Sequence, residues 1–180
     1  VQVGGTLDAS APTGGHGGFV ETSAAHVKVA DGARVTTLAS AGTTGTWLID
    51  PFDFNVALAG GDITGAQLGS ALDASNVTLE SSGGATGTAG DVNVDAAVTW
   101  TAATALVLNA FNDVNINQAV TGTNGSLTAN AGRNVNVSAA TTTTTGNLSF
   151  NAVNDVALSA ATTITTGNLT AVAGNNVVVS

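Results

Sequence analysis

Cysteine is absent from this chain of 180 residues, so it can form neither disulfide bonds nor thiolate ligands for a metal. Methionine is absent too, and no segment has the pattern of a signal peptide, so we expect a processed or excised piece. Only three residues are basic against 12 acidic ones, which argues against nucleic acid or an anionic membrane as a partner. No apolar run approaches the roughly 18 residues that a membrane-spanning helix needs.

Hydrophobic residues make up 43% of the chain, charged residues only 8%, and there are 23 glycines. This composition suits short strands joined by turns, because a disordered chain has lower hydrophobicity and more charge. The length is sufficient for one domain with a buried core.

A repeat with a period of about 21 residues runs through the second half of the chain. One column of the repeat is valine, and a second column, thirteen positions later, is leucine. The members of the two columns are Val114, Val135, Val156 and Val177, and Leu127, Leu148 and Leu169. One coil earlier, Val92 and Leu106 fit the same columns if that coil contains one extra residue.

Each repeat carries two short runs in which apolar and polar residues alternate, as in Val135-Asn136-Val137 and Leu148-Ser149-Phe150. Alternation with period two predicts β-strands that bury one face. A fixed period of roughly 20 residues, with strands and no helical pattern, predicts a solenoid. We therefore predict an all-β fold, a right-handed parallel β-helix with about 21 residues per coil, since right-handed crossover is the default for parallel connections.

The predicted β-helix is a single domain, 1–180, in three parts. Residues 1–75 form less regular, glycine-rich coils with a helix-like excursion at 67–72, and 76–91 form a coil with an inserted loop. Residues 92–180 form regular coils in which the valine column points inward. The following column points outward and contains Asn115, Asn136, Ala157 and Val178.

The inserted loop is predicted from a change in spacing. Val77 precedes Val92 by fifteen positions, whereas Leu106 precedes Val114 by only eight. The difference of seven predicts an insertion of that length around 82–88 that projects from the solenoid.

Three segments resemble the filamentous haemagglutinin-like exoproteins, the large adhesins that Gram-negative bacteria export by two-partner secretion. The segments are Gly14-Gly15-His16-Gly17-Gly18-Phe19-Val20-Glu21-Thr22-Ser23, Gly45-Thr46-Trp47-Leu48-Ile49-Asp50-Pro51 and residues 76–98. The resemblance implies a right-handed β-helix that is secreted or lies on the bacterial cell surface. It also implies passage through an outer-membrane transporter and a role in adhesion, aggregation or toxin delivery.

From these observations we predict a non-enzymatic segment of a secreted surface adhesin or matrix protein, with no cofactor and no metal. The expected partners are glycans or proteins on host or neighbouring cells. The strand-like ends, Val1-Gln2-Val3 and Val177-Val178-Val179, carry no capping residues. They therefore predict either a chain that continues at both ends or end-to-end self-association into filaments.

The alternative function is an enzyme that acts on polysaccharide, with an acidic pair drawn from Asp50, Asp53, Asp62 and Asp73. Asp50 precedes Pro51 and is also a typical turn residue. His16 and His26 lie ten residues apart without the spacing of metal ligands, so we predict ordinary turn or surface positions for both.

A second alternative is ice binding by a threonine ladder. Thr-x-Thr pairs recur in two columns of the repeat, Thr99/Thr101, Thr121/Thr123, Thr142/Thr144 and Thr163/Thr165. Threonine is also simply a good solvent-facing strand residue. The column between the pairs holds Trp100, Gly122, Thr143 and Ile164, from which we expect an uneven face.

Asn-x-Ser/Thr sequons occur at Asn76, Asn124, Asn136, Asn147 and Asn168. In a chain rich in Asn, Ser and Thr, repetition alone can produce them. Asn147 and Asn168 share one column of the repeat and are the predicted positions for surface sugars.

Overall fold

A computed structural model describes residues 1–83 and 89–180, and over these residues the chain is a parallel β-helix. The strands and the helix of the first half are β1 (Gln2–Val3), β2 (Thr6–Asp8), β3 (Phe19–Ser23), β4 (Lys28–Val29), β5 (Arg34–Thr36), β6 (Thr46–Asp50), β7 (Phe54–Ala57), β8 (Ile63–Thr64), α1 (Gly65–Leu72) and β9 (Asn76–Ser81).

Thirteen further strands make up the regular coils, with three strands in each of four coils and β22 after them. These strands are β10 (Val92–Val94), β11 (Val98–Trp100), β12 (Ala105–Ala110), β13 (Val114–Ile116), β14 (Val120–Gly122), β15 (Ser126–Ala131), β16 (Val135–Val137), β17 (Thr141–Thr145), β18 (Leu148–Ala152), β19 (Asp155–Leu158), β20 (Thr162–Thr166), β21 (Leu169–Ala173) and β22 (Asn176–Val179).

Strands of successive coils stack into three parallel sheets that enclose the core. Sheet A has the order β3-β6-β9-β12-β15-β18-β21, sheet B the order β8-β7-β10-β13-β16-β19-β22, and sheet C the order β11-β14-β17-β20. Two small sheets, β1-β4 and β2-β5, belong to the first two coils. Since strands of the regular coils pair with the equivalent strands of the next coil, like residues lie above one another.

The register confirms the predicted columns. Val114 pairs with Val135 in sheet B, and Leu127 pairs with Leu148 in sheet A. Val114 is fully buried and Leu127 is 1% exposed, whereas Asn115 lies half-buried on the outer face. The predicted fold class, with valine and leucine columns inside, is therefore confirmed.

The predicted helical excursion at 67–72 is α1, which begins two residues earlier. Thr64 caps the helix, because its Oγ1 accepts the Gln67 N–H at 3.2 Å while Gln67 Oε1 accepts the Thr64 N–H at 2.8 Å. Gly65 and Gly69 let the helix approach β11 closely, since a Cβ on either would lie within 2.3 Å of a carbonyl oxygen of Ala97 or Thr99. The helix thus covers the edge of sheet C where a strand of an earlier coil would otherwise pair.

The register on the two sides of the predicted insertion shows the same difference in spacing. Leu79 pairs with Leu108 and Val92 pairs with Val114. The step from Leu79 to Val92 is thirteen positions, whereas the equivalent step from Leu108 to Val114 is six. The seven extra residues lie between β9 and β10, and 84–88 fall outside the described residues.

The inward columns are not equally buried along the solenoid. In the last coil Leu169 is 49% exposed and Val179 is 74% exposed, because no described strand covers them on one side. In this coil, side chains that point inward are therefore not buried, although they occupy the same repeat positions as buried residues of earlier coils.

Candidate functional site

The four predicted carboxylates do not form one site. Asp50 ends β6 on sheet A, Asp62 precedes β8 on sheet B, and Asp73 follows α1 beside sheet C. Three of them accept backbone N–H groups: Asp53 from Gly90 at 2.6 Å, Asp62 from Asn55 at 2.8 Å, and Asp73 from Thr101 at 2.8 Å. These contacts fix turns and connect coils, as expected of Asp in a solenoid.

Asp50 has two acidic neighbours that the sequence analysis did not identify. Burial raises the pKa of the Asp50 carboxyl, and the charges of Glu80 and Glu21 raise it further against the lowering effect of Ser82. Asp73 shows the opposite behaviour. Desolvation acts to raise its pKa, but the hydrogen bonds from Thr101 and Ala102 outweigh desolvation and lower it. The two carboxylates therefore make contributions of opposite sign to stability at neutral pH.

We expect Asp50→Asn to raise, and Asp73→Asn to lower, the thermal midpoint at pH 7, each by roughly 1–3 °C, because Asp73 is exposed and Asp50 is only half-buried. A raised folded-state pKa at Asp50 means that the wild type regains stability as pH falls through that pKa, so the advantage of the Asp50→Asn variant shrinks in acid. The Asp73 contribution is present above its unfolded pKa and is lost in acid, so that variant also converges with the wild type. Thermal unfolding of the wild type and the two variants at pH 7 and pH 3 measures these changes. Changes in midpoint of the same sign for the two variants at pH 7 would contradict the prediction.

Both histidines are exposed, as predicted. Nδ1 of His16 accepts the Thr43 N–H at 3.1 Å and lies 2.8 Å from Thr43 Oγ1, so it joins two glycine-rich turns. Over the part of the chain that the structure describes, no three His, Asp or Glu side chains are grouped to hold a metal ion.

The threonine columns lie together on the outer face of sheet C. Thr99, Thr121, Thr142 and Thr163 are paired in register across the four strands. The expectation that the column between the pairs makes this face uneven is wrong, because that column points inward. Trp100 and Thr143 are 1% exposed, Gly122 is buried and Ile164 is half-buried.

The second threonine column is less uniform. Its members are Thr101, Thr123, Thr144 and Thr165, all exposed. Thr101 follows β11 and its hydroxyl donates to Asp73 at 3.2 Å, and the Thr123 carbonyl oxygen accepts the N–H groups of both Thr144 and Thr145. The array is therefore most regular over β17 and β20.

The five sequon asparagines differ in the hydrogen bonds that their side chains make. Asn76, Asn124 and Asn136 use their Nδ2 atoms in hydrogen bonds of 2.8 Å to neighbouring coils. Asn147 and Asn168 are exposed, and Asn147 Oδ1 accepts the Asn168 N–H at 3.0 Å. Sugars on Asn147 and Asn168 stay a prediction.

Side-chain ladders connect the coils at their corners and on their outer faces. At the corner between sheets A and B, Asp113 accepts hydrogen bonds from the Arg133 guanidinium and the Asn134 N–H. The Arg133 contact lowers the pKa of Asp113. On the face of sheet B, Asn115 donates to Asn93 at 2.9 Å and accepts from Asn136 at 2.8 Å.

A shallow groove of about 480 Å³ runs along sheet A beside a second asparagine ladder. We name it the asparagine groove. Its lining includes Glu80, Asn109, Asn130, Asn151, Gly132 and Val153. Asn130 donates to Asn109 at 2.8 Å, and Asn151 donates to Asn130 at 2.9 Å. The sequence analysis missed this groove, although Asn109, Asn130 and Asn151 recur with the period of the repeat.

A deeper cavity of about 590 Å³ opens between α1 and the second coil. Its wall includes the core residues Val35, Trp47 and Ile63, and its rim includes Arg34 and Gln67. Gln67 is already engaged with the Ala30 carbonyl at 3.0 Å. The cavity thus lies in the layer of the solenoid where α1 packs beside β11.

No helix among the described residues has the length and apolar character needed to cross a membrane. Comparison with protein-family models, with curated proteins and with solved structures gives no significant match.

Proposed function

We propose that the chain is an adhesive or matrix-forming segment of a secreted bacterial surface protein. The observation that supports this most is the repetition of uncharged polar side chains on the outer faces, as in the ladders through Thr142 and Asn130. Pairing between coils holds these groups in register, so each coil offers the next copy of the same surface about 4.7–4.9 Å along the axis.

A rigid solenoid that repeats the same polar side chains can make many weak contacts with a partner at the same time. Linked contacts of low individual affinity give a large overall avidity when the geometry allows simultaneous engagement. The low proportion of charge, 8% of residues, also fits a surface that meets uncharged partners. Partners of this kind are glycans or proteins on host and neighbouring bacterial cells, and passage through an outer-membrane transporter belongs to the same proposal.

Beads coated with the chain test this proposal. We expect them to adhere to cultured epithelial cells or to bacterial cells, and we expect adhesion to be lost when the coating protein is thermally unfolded first. Adhesion no greater than that of the unfolded coating would contradict the proposal. Release of reducing ends from a polysaccharide panel by the soluble chain would instead favour the enzymatic alternative.

We also propose that the chain of residues 1–180, studied by itself, associates end to end through its last coil. The inward side chains Leu169 and Val177 are about half exposed there, at 49% and 47%, and β20, β21 and β22 have a described strand on one side only. Unpaired strand edges with apolar side chains template further pairing. Light scattering of the purified chain measures this, since a monomer at all concentrations contradicts it.

Ice binding is a second candidate that one observation favours. Because the column between the threonine pairs points inward, the outer face of sheet C carries in-register threonines without interruption by Trp100 or Ile164. Thermal hysteresis of the wild type is the test. It should be lost in Thr142→Tyr and kept in the control Thr128→Tyr, which lies on the outer face of sheet A. No hysteresis in the wild type rules this candidate out.

A further inference from the structure

The floor of the asparagine groove keeps hydrogen-bonding capacity after its ladder is complete. A carboxamide has two N–H donors and two acceptor lone pairs. Asn130 uses one donor toward Asn109 and one lone pair toward Asn151, at 2.8 and 2.9 Å. One donor and one lone pair of Asn130 remain, and its half-buried side chain lines the groove.

One wall of the groove is formed by a column of the repeat at the corner after sheet A. In this column a large apolar residue alternates with glycine from coil to coil. The column contains Phe111, Gly132, Val153 and Gly174, of which Gly132 and Val153 line the groove directly. Phe111 is 67% exposed and Val153 is 71% exposed, so both offer apolar surface to a ligand. Gly132 leaves a notch between them and cannot carry a side chain without a shift, because a Cβ there would lie 2.0 Å from the Phe111 carbonyl oxygen.

The insertion between β9 and β10 positions Phe111 at the end of this wall. A Cβ on Gly83 or Gly90 would lie 2.9 Å from Phe111 atoms, so the backbone on both sides of the insertion packs directly against that side chain. The aromatic ring is thus supported on one side and exposed on the other. Placed beside carboxamides, it forms a surface with both polar and apolar parts.

Charge limits the class of ligand. Among the described residues that line the groove there is no lysine or arginine, and Glu80 is the one ionisable side chain. A sulfated or uronic acid polymer would meet a carboxylate and no cation, which is unfavourable. An extended peptide is also disfavoured, since the backbone N–H and C=O groups of β12, β15 and β18 are already paired within sheet A.

We propose that the asparagine groove binds an extended, uncharged polysaccharide that runs along the solenoid axis. Sugar hydroxyls both donate and accept, as the carboxamides of Asn109, Asn130 and Asn151 do, and the C–H faces of the sugar rings pack on Phe111 and Val153. The repeating ligand matches a floor that repeats one carboxamide per coil over three coils, between Glu80 at one end and Val172 at the other. This inference rests on the proposed adhesive function and assigns its ligand class and its site.

Affinity electrophoresis of the full chain through gels that contain mannan, xylan or a soluble β-glucan tests the proposal, with dextran sulfate as the charged comparator. We expect retardation by at least one neutral polymer. Loss of one hydrogen-bonding side chain should weaken that binding about two- to tenfold in Asn130→Ala. Asn115→Ala is the matched control, because Asn115 also donates to one ladder neighbour and accepts from another, on sheet B.

A second variant keeps the test independent of the ladder. Val153→Ser removes apolar surface from an exposed position and should weaken binding about two- to fivefold while the circular dichroism spectrum stays that of the wild type. Equal weakening by Asn130→Ala and Asn115→Ala would overturn the site, and preference for dextran sulfate would overturn the ligand class. If coated beads adhere to cells but no neutral polymer retards the chain, this inference fails and the adhesive function stands. If neither occurs, both fail.

Discussion

Leu127→Lys should unfold the regular coils, whereas the same replacement at Leu169 should change stability little. Leu127 lies between Leu106 and Leu148 in sheet A and is 1% exposed. Removing a buried leucine alone costs roughly 2–5 kcal/mol, and the new ammonium group must be buried without a partner or lose its proton. A total of about 5 kcal/mol or more approaches the whole stability of a typical domain. Leu169 pairs with Leu148 alone and is 49% exposed, so its side chain can reach water.

Urea unfolding followed by circular dichroism measures the difference between the two variants. A buried lysine has a lower pKa in the folded than in the unfolded state, so the unfolded state binds more protons and the stability of the Leu127→Lys variant should rise with pH. The Leu169→Lys variant should show no such dependence. Equal losses at the two positions would mean that the last coil is covered in solution, as end-to-end association would bring about.

The difference between these two leucines could not be read from the repeat. The regular spacing predicts which side chains stack, and the pairing of Leu127 with Leu148 confirms it. Burial, however, depends on the number of neighbouring coils, which a periodic pattern does not contain. The sequence also predicts α1 as a helix-like excursion, but it does not predict where the helix packs. The position of α1 against the edge of β11 depends on the contacts of Gly65 and Gly69.

The candidate sites, too, could be predicted only in part from the repeat. The role of a column depends on whether its side chains point inward or outward. Thr143 points inward, so its column packs in the core and does not interrupt the threonine face. The proposed binding surface combines three features from separate places in the sequence: the ladder through Asn130, the absent side chain of Gly132 and, beside the groove, the exposed ring of Phe111. Only the first of these is visible as a repeat in the sequence.

In the core, the largest side chain of one coil packs against a glycine of the next coil. Trp100 of β11 pairs with Gly122 of β14, and both positions point inward. A Cβ on Gly122 would lie 2.5 Å from the Trp100 ring, and a Cβ on Gly125 would lie 2.1 Å from its Nε1. The indole therefore occupies the space that the two glycines leave, and its N–H donates to the Thr104 carbonyl at 3.4 Å.

Gly122→Val should therefore destabilise the chain by about 1–3 kcal/mol or more, because a buried ring in a packed core cannot move aside. Trp100→Ala should cost roughly 3–5 kcal/mol through the cavity that it leaves. In the double variant the valine enters that cavity, and β-branched residues, Thr143 and Ile164, already occupy the same inward column in the later coils. The double loss should then be smaller than the sum of the two single losses by about 1–3 kcal/mol. Urea unfolding of the four proteins measures this coupling, and strictly additive losses would show that Trp100 does not fill the space above Gly122.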